Sequence, residues 1–244
     1  MFKKKALVLP GALLCAIALA TQSISASAAG SGAATIAQQQ LARSQAQLAA
    51  QQGLAEYKQG KLQAYADLAP DNLALDVSGM DELMQTRIGQ GFEVYTVKPQ
   101  DVAGGRTDLS GMAVPTGSWR FVVQAADKPV GLVTVEMVDG RWEAVSFGGA
   151  ALAREYEAMR VAHGNAEGSN LRFIRIYQAQ SDLMEVTSAT DGKARFAAMK
   201  SARESLLRFG LNKAQPDANA GLFDPSQLLE SLRAAISKNM DVQR

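Results

Sequence analysis

The chain has 244 residues, with 25 Lys+Arg against 24 Asp+Glu, one His and one Cys, giving a formal net charge of +1. Near-neutrality excludes partners recruited by bulk charge, and 47% hydrophobic with 20% charged residues describes a chain that folds. One cysteine excludes an internal disulfide, and one histidine leaves any zinc site to be built from carboxylates, an unusual ligand set.

Residues 1–28 read as a secretory signal peptide. Met1 to Lys5 is a short basic start, Ala6 to Ala20 is apolar but interrupted by Pro10, and Ala26-Ser27-Ala28 offers the small residues of a cleavage site. The apolar run is short for a bilayer span, so no stable membrane insertion is expected after cleavage. Cys15 follows Leu13-Leu14, where a lipidated cysteine would follow a small residue. Cleavage after Ala28 removes three lysines and no acid, leaving 216 residues, no cysteine and a net charge of −2. Nucleic acid is therefore not an expected partner, because its binding needs a clustered basic surface.

The segment 29–77 is read as an N-terminal helical segment. Leu41, Leu48, Ala55 and Leu62 recur every seven residues, but their companions Ser44, Gln51 and Lys58 supply only half of a coiled-coil seam. A loosely docked helix or partner-facing arm over 35–52 is expected, followed by an amphipathic helix through Leu54, Tyr57, Leu62 and Tyr65 that ends before Pro70.

The segment 78–210 reads as an α+β domain. Ser78 opens a short helix stopped at Gly89, after which Phe92 to Val97 alternates as a strand. Residues 100–117 read as a long loop. Strands follow at Ser118 to Ala125, Val130 to Val138 and Arg141 to Phe147, with Asp139-Gly140 as a strong hairpin turn. Gly148-Gly149 leads into a helix reaching His163, and three further strands fall within 171–199 before a helix at 200–209. In the remaining 211–244, a loop precedes a helix opened by Asp224-Pro225-Ser226-Gln227 and striped by Leu228, Leu229, Leu232, Ala235 and Ile236. Hairpins outnumber strand-helix-strand crossovers, so the expected fold is a mainly antiparallel sheet with helices packed on one face, preceded by an N-terminal helical segment.

Candidate chemistry is sparse. Ala144-Val145-Ser146-Phe147-Gly148 resembles the nucleophile elbow of α/β-hydrolases, but its only histidine, His163, falls about 20 Å along the following helix at 1.5 Å per residue. Asp217, Asn219 and Asp224 faintly resemble a calcium loop, yet Gly221 stands where a ligand is needed and Leu222 where the glycine belongs. No catalytic set, metal site or cofactor is expected. Trp119, Gly148, Gly149 and His163 are the residues to consider for binding.

The expectation is an exported, non-enzymatic binding or assembly protein, periplasmic or secreted, with a protein partner in the cell envelope. An exposed sheet edge taking up a ligand is a related possibility. The alternative is a carboxylate-dependent hydrolase of cell-envelope polymer using Asp101, Asp108, Asp127 or Glu143.

Overall fold

The computed structural model describes residues 29–64, 73–211, 216 and 221–241. The expected signal peptide, the helix end before Pro70 and the Asp217–Asn219 part of the calcium-like loop lie outside the described residues. The chain divides into two units, Met1–Gln38 and Gln39–Arg244. In the first, the described backbone is helical from Ala29; everything below concerns the second.

The helix α1 runs over Ala29–Gln63, followed by α2 over Met80–Met84. Seven strands follow: β1 (Arg87–Val97), β2 (Ala113–Ala125), β3 (Lys128–Val138), β4 (Arg141–Gly148), β5 (Leu171–Ile176), β6 (Ser181–Thr187) and β7 (Ala194–Ala198). Between them lie α3 (Pro99–Ala103), α4 (Leu109–Met112) and α5 (Ala150–His163); α6 (Lys200–Leu206) and α7 (Pro225–Asp241) close the chain. One sheet forms, in the order β4-β3-β2-β1-β5-β6-β7, antiparallel except where β5 lies beside β1. A parallel neighbour needs a crossover. Here β2 to β4 meander away from β1 and α5 carries the chain back to its other side.

Local chemistry explains the segments that match expectation. Asp139 and Gly140 both take positive φ, 48° and 80°, as a two-residue hairpin requires. At the start of α7 the Asp224 backbone N–H donates to Gln227 Oε1 at 2.8 Å, and all five predicted stripe residues are buried.

Other boundaries move. The helix α2 stops at Met84, and β1 runs through Gly89, which was expected to end a helix. The glycine belongs there because a Cβ would press against the Gln124 side chain on β2. The expected loop 100–117 contains α3, α4 and the first turns of pairing in β2, with Asp108 Oδ1 capping α4 through Gly111 N–H at 2.9 Å.

The core has three parts. Ala46, Ala49, Ala50 and Leu54 of α1 pack with Trp119, Phe121, Val133 and Val135. On the same face, Leu228, Leu232 and Ile236 of α7 cover Ile174, Ile176, Leu183 and Phe196. Tyr95 joins these regions: its ring packs against the α7 cluster while its hydroxyl accepts a bond from Gln39 Nε2 of α1 at 3.1 Å. On the opposite face, Ala153 and Tyr156 of α5 meet Phe92, Val122, Leu132 and Phe173.

The docked face of α1 corrects the sequence expectation. Leu41, Leu48 and Leu62 are 59%, 59% and 53% exposed, whereas the alanines are buried. Small residues win because they let the helix approach the sheet closely. A Cβ at Gly53 would collide with that of Ala144 on β4, and Tyr57 stacks on Phe147 with ring centroids 4.6 Å apart. The part of α1 from Ala46 is thus an integral layer of the core, in place of the expected loose arm. Among the described residues, no helix is long and apolar enough to cross a membrane.

Candidate functional site

The residues singled out from sequence do not assemble into one site. Trp119 is buried under α1, its ring 6.3 Å from that of Phe121, and serves the core. Gly148 and Gly149, with φ of 143° and 68°, provide the sharp passage from β4 into α5 that an L side chain would strain. His163 is the last residue of α5, fourteen residues long, and its carbonyl accepts from Asn170 Nδ2 at 2.9 Å. Ser146 lies within β4, opposite Thr134.

The suspected acids are also dispersed. Asp127 sits in the β2–β3 turn and Asp108 caps α4 at the other end of β2, a strand of thirteen residues, about 40 Å at 3.4 Å per residue. Asp101 lies 3.5 Å from Arg106. Glu143 faces another acid, because the β3–β4 register sets it directly opposite Glu136, with Arg141 at 3.5 Å. No group of three or more His, Cys, Asp or Glu able to hold a metal occurs among the described residues.

A different place has the geometry of a binding site. β5 pairs with β1 at Val94 and Tyr95, so the preceding stretch Arg87–Gly91, which meets β2 at Arg87, Ile88 and Gly91, has no described strand on its other side. This open edge forms the floor of a cavity of about 460 Å³. Arg43 and Gln47 of α1 form one wall, Glu157 and Arg160 of α5 the other, and Arg87, Gln90 and Gln124 line the strand side. An unpaired strand edge presents a row of backbone donors and acceptors, which is the template for an added strand.

The lining is polar, with three arginines against one acid. Arg160 is neutralised by Glu157, to which its Nε and Nη2 donate at 3.0 and 2.6 Å; that hydrogen bonding holds its pKa above the usual value. Arg43 instead donates to a neutral amide, Gln90 Oε1, at 3.1 Å. Arg87 donates to the Ala126 carbonyl at 3.2 Å and lies 3.6 Å from the exposed Asp127. The groove therefore keeps uncompensated positive charge at Arg43, with amides to match a peptide backbone.

Just beneath it, Phe92 and Tyr156 stack with centroids 4.0 Å apart, and burial pushes the Tyr156 hydroxyl up to about 12. Sequence reading missed this groove because its walls are over a hundred residues apart in the chain. The one local signal was Gly89-Gln90-Gly91. Gly91 is needed since a Cβ would run into the Phe121 ring.

Neither a family model, nor a curated protein, nor a solved structure matches this chain.

Proposed function

We propose that this is an exported, non-enzymatic binding protein that holds an extended acidic peptide segment of a cell-envelope partner along the open edge of β1. The observation that carries the reading is the strand edge Arg87–Gly91, unpaired on one side and walled by α1 and α5. Strand addition supplies affinity through the backbone, while Arg43 supplies the preference for acidic side chains. Export rests on the basic start, the apolar run Ala6 to Ala20 and the Ala26-Ser27-Ala28 site. N-terminal sequencing of the protein recovered from its cells is expected to begin at Ala29.

The binding test uses fluorescent Glu-Val and Lys-Val repeat peptides, followed by anisotropy. The acidic peptide is expected to bind roughly tenfold more tightly. Arg43→Glu is expected to remove that preference, and N-methylation of alternate peptide nitrogens to abolish binding. Equal affinity for both peptides, or binding indifferent to N-methylation, overturns the reading.

A second reading, a carboxylate-dependent hydrolase of envelope polymer, rests on Glu136 lying directly opposite Glu143 on the neighbouring strand, since glycoside cleavage uses a pair of carboxyl groups. Polymer release that Glu136→Gln and Glu143→Gln each abolish would establish it. Release unaffected by either variant excludes this pair.

A further inference from the structure

The outward ridge of α1 carries three exposed leucines, Leu41, Leu48 and Leu62. Leu41, Leu48, Ala55 and Leu62 lie on the side of the helix away from the buried Ala46, Ala49 and Ala50, so packing onto the sheet leaves them facing solvent. Between and beside them stand Ser44, Gln51, Gln52 and Gln59, all exposed and uncharged. Two nearby cations turn away, and one exposed acid, Glu56, stays at the flank of the ridge. Lys58 Nζ donates to the carbonyls of Met84 and Thr86, and Arg43 reaches Gln90. A solvated helix face normally carries ionised residues, whereas this ridge carries a leucine or alanine every seventh residue.

We propose that α1 pairs with α1 of a second copy of this chain, antiparallel, about a twofold axis passing between Gln51 and Gln52. Three features select a second copy over another partner. The ridge has no charge along its centre, so two identical faces meet without repulsion. The seven-residue spacing keeps the apolar positions on one straight seam between two helices. The spacing is also symmetric about the proposed axis, bringing Leu41 against Leu62 of the second copy and Leu48 against Ala55 of the second copy, twice each. From Leu41 to Leu62 this seam runs about 32 Å at 1.5 Å per residue. Its polar flanks make the pair weaker than a full coiled coil, so dimerisation depends on concentration. The inference is independent of the peptide groove, which opens on the other side of the helix.

The test is sedimentation equilibrium of the signal-processed chain over a range of concentrations. The chain is expected to dimerise reversibly, and Leu48→Glu to weaken association at least tenfold. Because Leu48 is exposed, circular dichroism of that variant should match the parent. The double variant Leu48→Glu/Ala55→Lys is expected to dimerise again, since antiparallel pairing sets each new Glu against a new Lys. A parallel pair would set like charges together and stay apart. A parent chain that remains monomeric, alone or bound to another protein, overturns the proposal. So does a dimer that Leu48→Glu leaves intact, or one that the double variant fails to restore.

Discussion

Gly53 of α1 lies so close to Ala144 of β4 that a methyl group at position 53 would occupy the space of the Ala144 side chain. Helix propensity favours alanine over glycine by about 1 kcal/mol, but overpacking here costs more. Gly53→Ala is therefore expected to destabilise the protein by about 1–3 kcal/mol. Gly60, seven residues on, has nothing within 4 Å of its would-be Cβ, and Gly60→Ala should stabilise by roughly 0.5–1 kcal/mol. Opposite signs in urea melts of the two variants would confirm that docking, not helix formation, selects glycine at 53.

Removing residues 29–52 takes Ala46, Ala49 and Ala50 off Trp119 and Phe121. The truncated chain is expected to lose roughly 10 °C or more of Tm and to bind a hydrophobic dye. An unchanged melting curve would mean that the sheet is stable without its first helical layer.

Glu185 is almost fully buried on β6, where it accepts from Arg172 Nε at 2.9 Å and Nη2 at 2.5 Å and from Ser110 Oγ at 2.6 Å. Arg172 also donates to the Ser110 carbonyl at 2.8 Å, so the network ties α4 to the β5–β6 hairpin. Arg172→Met leaves a buried carboxylate with one hydroxyl partner and should cost about 3 kcal/mol in a chemical melt. Adding Glu185→Gln should recover much of that loss, because the uncompensated charge is gone.

Tyr156 sits against Phe92 with its hydroxyl raised to about 12, chiefly by burial. Its unfolded value is near 10. The folded state therefore holds this proton more tightly, and the stability it contributes is complete below pH 10 and lost as pH rises from 10 to 12. Tyr156→Phe should flatten that alkaline limb. Tyrosinate absorbance that rises at pH 10 in step with exposed tyrosines would contradict the burial argument.

Wherever neighbours in the chain set the conformation, the sequence was legible by itself. Asp139-Gly140 dictates its hairpin through positive φ, the Asp224–Gln227 cap opens α7, and the α7 stripe follows the helical period. These cues sufficed for the α+β class and the antiparallel hairpins. The face of α1 that docks was beyond them. Seven-residue spacing drew attention to the leucines, yet close approach to Ala144 and Phe147 rewards the alanine and glycine face, and nothing within the helix reveals that neighbour. The groove was hidden for the same reason. It exists only because β5, entering beside β1 at Val94 and Tyr95, leaves that side of Arg87–Gly91 open while α1 and α5 wall it. Local propensity acts over a few residues, whereas strand order and helix docking are settled by which distant surfaces bury one another, and those contacts belong to the tertiary structure alone.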